Sequence, residues 1–153
     1  MSKRFAATVL LALAVATVLM LGSCGKEPER QATTGGVSWL LSIDEARAQA
    51  AKQDRPIMID VYTDWCGWCK RLDSETYIDK DVVAKAGEFV SLKLDGDANR
   101  SFISDYRVGG FPTILFIDAG GRELHRVKGY RKAPEFIREM DMALAAFNGG
   151  KGS

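Results

Sequence analysis

The chain opens on an uncharged, largely apolar run from Phe5 to Leu21, and beyond it the apolar positions recur in shorter blocks of changing period. Lys26 to Gly36 is polar and holds Pro28 and Gly35-Gly36, so it reads as a flexible tether. A folded domain is expected from about Val37 to Asn148, and Gly149-Gly150-Lys151-Gly152-Ser153 reads as a frayed tail. Inside the domain, Ser42-Ile43-Asp44-Glu45 is a capping box that opens an Ala-rich helix to about Lys52. Pro56 to Tyr62 is a short apolar run, a buried strand. Helices are expected from Cys66 towards Glu75 and from Asp79 to Ala86, then a second central strand from Phe89 to Leu94. Asn99 to Tyr106 reads as helical, and Gly109-Gly110 breaks it. Thr113–Ile117, the turn Asp118-Ala119-Gly120-Gly121 and Glu123–Lys128 form a hairpin signature. Pro134 suits the first turn of a last helix to Phe147. This order, α-β-α-α-β-α-β-β-α, predicts an α/β fold: a central mixed sheet with helices on both faces.

At 153 residues there is room for one ordinary domain. The net charge is +1, without the basic excess of a nucleic-acid binder, so no nucleic-acid partner is expected. Lys3 and Arg4 precede the apolar run and small residues follow it, the layout of an export signal over residues 1–23. Leu21-Gly22-Ser23-Cys24 resembles the bacterial lipobox, in which the cysteine becomes the lipidated first residue of the mature protein. A retained membrane span is the alternative, because the run is slightly short of the usual ~20 residues; plain secretion is another. On the lipoprotein reading Cys24 anchors the chain to a membrane through residues 24–36. Gly25 follows it, with no Asp of the kind that resembles an inner-membrane retention signal, so the outer membrane is favoured in a two-membrane cell.

The other two cysteines lie in Trp65-Cys66-Gly67-Trp68-Cys69-Lys70, after a buried strand and at the start of a helix. Free N–H groups at a helix start favour an anion, and cysteines in C-x-x-C motifs reach pKa values of about 3.5–7.5. Cys66 is the expected nucleophile and Cys69 the resolving thiol. A zinc site and an inert structural disulfide are the other readings of such a pair. Zinc needs four ligands, and outside the pair only His125 and Cys24 remain, of which Cys24 is taken by the lipid on the lipoprotein reading, so no metal and no cofactor are expected. His125 itself reads as a surface strand residue, and the charged stretch Gly121 to Lys132 as the solvated face of the hairpin.

Ile57 to Lys70 resembles the active-site strand and turn of thioredoxins, and Val108-Gly109-Gly110-Phe111-Pro112-Thr113 resembles that family's cis-proline loop. Within the superfamily the chain is most similar to the C-terminal thioredoxin-like domain of bacterial thiol:disulfide interchange proteins. The resemblance implies a thioredoxin fold from about Val37 to Phe147. It assigns Asp60 as the buried acid that takes the proton of Cys69, and Lys93 as the lysine that modulates that acid. It also implies a cis bond before Pro112, with Phe111 offering backbone to an extended substrate, and a role for Gly129 in letting the next loop approach. Trp68 stands where ordinary thioredoxins have proline. Trp65, Gly67 and Trp68 are candidate substrate contacts, the two tryptophans as an apolar ring or as packing beneath the loop.

The expectation is therefore an exported thiol–disulfide oxidoreductase that reduces protein disulfides or relays electrons through Cys66 and Cys69. Its partners would be disulfide-bearing substrate proteins and a thiol donor in the membrane or envelope. An isomerase or oxidant is the runner-up, although isomerases often carry a dimerisation domain for which the chain has no room; a monomer is expected. A lipid-tethered binding module with a structural disulfide is the non-enzymatic alternative.

Overall fold

The structure is a computed structural model and describes residues 30–31 and 36–150. The export signal and Cys24 lie outside the described residues, as do 151–153 of the tail. The elements are β1 (Arg30–Gln31), β2 (Trp39–Leu40), α1 (Ile43–Gln53), β3 (Ile57–Tyr62), α2 (Gly67–Arg71), a π-helical turn (Leu72–Thr76), α3 (Lys80–Ala86), β4 (Val90–Asp95), α4 (Arg100–Asp105), β5 (Thr113–Ile117), β6 (Glu123–Lys128) and α5 (Ala133–Gly149). The strands form one mixed sheet in the order β1-β2-β4-β3-β5-β6. β3 and β4 run parallel, and β5 and β6 turn back antiparallel, so the expected α/β thioredoxin fold is what forms.

Strand alternation splits the core in two. Ile57, Ile59 and Val61 of β3 join Val90, Leu92 and Leu94 of β4 and Leu115 and Ile117 of β5 on one face, closed by Ala46 and Ala50 of α1 and Phe102 of α4. Met58, Ile114 and Phe116 face the other way, into Leu72, Val82, Phe136 and Met140 from the π turn, α3 and α5. Fully burying side chains of this size contributes about 1.5–3 kcal/mol each before the cost of ordering the chain. Asp60 has the parity of Met58, and Lys93 the parity opposite to Leu92 and Leu94. Both therefore project from the face that carries α2.

The structure differs from the sequence expectation in four places. Two short strands, β1 and β2, were not anticipated, because two residues are too few to show alternation. β1 falls inside the stretch read as a uniformly flexible tether, and its Arg30 and Gln31 pair antiparallel with Leu40 and Trp39. Only half of the capping box forms: the Ser42 hydroxyl accepts the Glu45 N–H at 3.4 Å, while the Glu45 carboxylate takes the Gln49 amide instead. The helix begun at the cysteines widens into the π turn, where the Tyr77 N–H donates to the Leu72 carbonyl at 2.9 Å. Finally, α5 continues to Gly149, two residues past the expected end.

Candidate active site

β3 runs buried through the centre of the sheet and delivers the chain to Thr63 and the turn that follows. The Cys66 N–H donates to the Thr63 carbonyl at 3.1 Å, which fixes Cys66 as the capping residue of α2. Its Sγ accepts the N–H of Cys69 at 3.1 Å. Cys66 and Cys69 are joined in a disulfide with their Cα atoms 5.3 Å apart. The N–H that meets Sγ points at the atom that would carry thiolate charge once the bond is reduced, and an N–H donor to an anion is a strong hydrogen bond. Both cysteines are nearly covered, Cys66 at 5% and Cys69 at 1% exposure. Gly67 is exposed on the helix's first turn.

Two tryptophans flank the pair and are the most open large apolar side chains of the domain, Trp65 at 70% and Trp68 at 55%. Each is nevertheless held. Trp65 stands edge-on to Phe111 at 5.7 Å and donates its indole N–H to Asp97 at 2.9 Å. Trp68 leans on Tyr130 at 5.7 Å, and the Arg71 guanidinium lies over both rings. Arg71 in turn pairs with Glu75 at 2.8 Å, and the Tyr130 hydroxyl donates to the same carboxylate at 2.6 Å. Anchored rings with exposed faces offer contact area at little entropic cost. Arg71 is engaged with Glu75 and its field is not free for Cys66.

The bond between Phe111 and Pro112 is cis. Gly129, at φ +79°, donates its N–H to the Pro112 carbonyl at 2.8 Å, which holds the end of β6 against this loop. A positive φ is cheap only for glycine, and a Cβ here would meet nothing within 4 Å, so backbone conformation is what this position demands. Gly96 is the opposite case. A Cβ there would lie 2.6 Å and 2.7 Å from ring atoms of Phe111, so Gly96 is what lets that ring settle against Trp65.

Beneath the pair, Asp60 is wholly buried on β3, directly opposite Lys93 in the parallel β3–β4 register. Lys93 Nζ lies 3.2 Å from Asp60 Oδ2, and the ammonium also pairs with Asp73 on the π turn. Its side chain is only 10% exposed. Nζ sits 5.2–5.6 Å from the ring centres of Tyr62, Trp39 and Tyr77, a cage of π faces. Neither carboxylate oxygen of Asp60 has a well-formed hydrogen bond, and the buried Tyr77 hydroxyl beside it has none either. Desolvation consequently dominates and raises the Asp60 pKa to about 6, against the pull of Lys93 and with a push from Asp73. Burial opposes the Lys93 charge too, but the two carboxylates outweigh it and hold its pKa above the ordinary lysine value.

Cys66, Cys69, Trp65, Gly67, Trp68, Phe111 and Pro112 thus gather at one end of the sheet, with Asp60 and Lys93 under them. Asp73, Tyr77, Gly96, Asp97 and Tyr130 were not anticipated. Asp73 stands four residues after Cys69, a helical spacing that marks it in the sequence; the others come from separate elements and carry no local signal. His125 lies on β6, as expected, but not at the open surface: it is half-buried, its Nε2 is 2.5 Å from Glu139 on α5 and its ring lies near Phe116. Nor is the hairpin face simply solvated, since Arg122, Arg126 and Arg131 pair with Asp118, Glu123 and Glu139. Among the described residues no cluster of His, Cys, Asp or Glu is placed to hold a metal. No helix among them is long and apolar enough to cross a membrane.

A reducible disulfide capping a helix, beside a cis-proline loop and above a buried acid, defines a thiol–disulfide redox site on a thioredoxin fold. The chain belongs to the thioredoxin-like domain family, whose profile matches residues 43–144, and within the thioredoxin superfamily it is a DsbD-like domain. It is 32% identical over 132 residues to the thiol:disulfide interchange protein DsbD of Ralstonia nicotianae, covering 82% of this chain and 22% of that protein. It therefore spans about a fifth of the length of that relative. Among solved structures, a Bacteroides thetaiotaomicron protein studied as a candidate disulphide isomerase is 32% identical, with a TM-score of 0.65 over 74% of this chain and 97% of that one. The C-terminal domain of Neisseria meningitidis DsbD, in its oxidised form, shares the fold at 24% identity and a TM-score of 0.58, over 66% of this chain and 92% of that one.

Proposed function

We propose that the protein is an exported, lipid-anchored reductant or electron relay, which accepts electrons from an envelope thiol and passes them to disulfides of partner proteins. The observation that carries this reading is Cys66 Sγ at the cap of α2, receiving the Cys69 N–H and bonded to Cys69. In the reduced protein the Cys66 thiolate attacks a partner disulfide, forming a mixed disulfide and releasing one partner sulfur as a thiolate that takes a proton from solvent. Cys69 then gives its proton to Asp60 and attacks Cys66 Sγ. The Cys66–Cys69 bond closes, and the second partner sulfur leaves as a thiolate that takes a proton from solvent, while Asp60 keeps the Cys69 proton until it is released. Asp60, titrating near 6, is close enough to neutrality to accept and return that proton. Lys93 tunes it, Trp65, Gly67, Trp68 and Phe111 contact the partner, and Pro112 shapes the site.

Direction follows from how far the site favours the thiolate. Asp60 and Asp64 precede the motif and oppose an anion at Cys66, Arg71 is tied to Glu75, and no histidine lies between the cysteines. A potential of about −270 to −200 mV is expected, towards the reducing end for this fold. Equilibration of the protein against glutathione or dithiothreitol buffers measures it; a value near about −120 mV would make the protein an oxidant. The similarity to the Bacteroides protein favours isomerisation as the second reading. Recovery of activity from a scrambled multi-disulfide substrate would separate the two, because a pure reductant leaves such a substrate reduced.

A further inference from the structure

The groove beside the cis bond extends away from the cysteines, encloses about 420 Å³ and changes character along its length. Its floor is largely backbone: a Cβ at Gly109, Gly110 or Gly129 would meet nothing within 4 Å. Phe111, at its near end, uses neither its N–H nor its C=O in a hydrogen bond. Arg107 and Lys128 stand on its walls, and among the described residues no carboxylate lines it. Both cations are exposed, and among the described residues neither side chain has a hydrogen-bond or ion-pair partner. On their far side the two cations share a second hollow with two acids, Asp105 and Glu123; Glu123 feels Lys128 through space but is bound to Arg126 at 2.6 Å.

The placement of the two cations is specific. Lys128 sits opposite Thr113 in the β5–β6 register, two residues along from Phe111, and follows the buried Val127, so it points out of the sheet on the open side. Arg107 follows the C-cap of α4, Tyr106, at φ +50°, a conformation that costs a non-glycine residue about 1 kcal/mol or more. Its carbonyl is held there by Arg126 at 3.3 Å. Glycine would occupy this position without strain, yet the sequence keeps an arginine at the mouth of the groove. Across the cysteines the charge reverses, with Asp64 and Asp97 beside Trp65.

We propose that this groove selects its disulfide partners by charge: it takes an extended segment with an Asp or Glu side chain within about four residues of the target cysteine, a span of about 13 Å at strand rise. Arg107 and Lys128 receive the carboxylate while the segment pairs with the Phe111 backbone. The inference rests on the redox role of Cys66 and Cys69 proposed above and names the class of partner that role serves.

The test uses the full-length chain, reduced with dithiothreitol and freed of it, in single turnover against three peptide disulfide dimers. The peptides are identical except for Glu, Gln or Lys at the positions two and four residues from the cysteine. Each turnover moves two electrons and two protons from the Cys66 and Cys69 thiols to the peptide disulfide, leaving two peptide thiols and the protein disulfide. Each rate is divided by the same peptide's rate with dithiothreitol, which removes intrinsic reactivity. The Glu peptide should be favoured over Gln by about fivefold and Lys disfavoured, as two partly exposed ion pairs allow. The gap should narrow in about 0.5 M salt, where the screening length falls to a few ångströms. The double variant Arg107→Glu, Lys128→Glu, with its fold checked by circular dichroism, should invert the order; a merely structural role for these residues would not reverse its sign. Equal normalised rates for all three peptides would overturn the inference and leave the redox role standing. Failure to reduce any peptide faster than a Cys66→Ser variant does would overturn both.

Discussion

Replacing Asp60 by Asn should stabilise the protein at neutral pH and not in acid, because of where this carboxyl titrates. Its pKa in the fold is about 6, against 3.8 for a free aspartate, and burial is the main cause. Between those two values the native state binds a proton that the unfolded chain does not, so stability falls as pH rises. The contribution of this group is complete below about pH 3.8 and is lost as the pH passes through about 6. A displacement of about two pH units corresponds to about 3 kcal/mol. Asn cannot ionise, so the stability of Asp60→Asn relative to the parent should rise by up to about 3 kcal/mol between pH 4 and pH 8. Urea unfolding of both oxidised proteins at several pH values gives this difference, provided each unfolds in one step. Glu75, Asp118 and Glu123 titrate below their ordinary values and weaken both proteins alike in acid, so they cancel. Two companion variants fix the cause. Lys93→Met removes the charge that lowers the Asp60 pKa and should move the window upward, while Asp73→Asn removes a charge that raises it and should move the window down. A difference between Asp60→Asn and the parent that stays flat from pH 4 to pH 8 would refute the assignment of an ionising, desolvated carboxyl at this position.

Cys69→Ala should accumulate mixed disulfides with partner proteins on non-reducing gels, and Cys66→Ala should not; the reverse pattern would exchange the roles of the two thiols. Gly96→Ala should push the Phe111 ring from its seat against Trp65, shift the tryptophan emission and weaken partner binding, at a cost of about 1–3 kcal/mol in stability from overpacking. Unchanged emission with unchanged KM would show that the ring accommodates the methyl freely. For the anchor, mass spectrometry of the mature protein should find Cys24 acylated as its first residue, and the protein should sediment with membranes. Several acyl chains at about 0.8 kcal/mol per buried CH₂ suffice for stable attachment, and a soluble mature protein with an unmodified Cys24 would exclude it.

The chemistry of the pair was legible because it is local: two cysteines, a preceding strand and a following helix lie within fourteen residues, Ile57 to Lys70. What surrounds it depends on register and on contacts between distant elements. Asp60 opposite Lys93 was readable in principle. Ile57 and Val90 both stand near the start of their apolar runs and pair with each other, and the same offset carries Asp60 to Lys93. The alternation of Val90, Leu92 and Leu94 then places Lys93 on the other face, with Asp60. Asp73 and Tyr77 are different. Asp73 shows only through its helical spacing from Cys69, and the π turn that presents both has no sequence signal of its own, since its wide hydrogen bond is kept by tertiary anchors such as the Thr76 hydroxyl donating to the Arg131 carbonyl at 2.6 Å.

Trp65 and Trp68 show why a local reading leaves such questions open. The sequence allowed either an apolar contact ring or packing beneath the loop, and the structure contains part of each. One edge of each indole is fixed, by Phe111 and Asp97 or by Tyr130 and Arg71, and the rest is open. The fixing residues come from four separate segments: the turn after β4, the cis-proline loop, the loop after β6 and α2 itself. A motif of two cysteines can therefore persist while the aromatic rim around it changes through substitutions far away in the chain. Electron transfer chemistry is written in the first set of residues, and the choice of partner in the second.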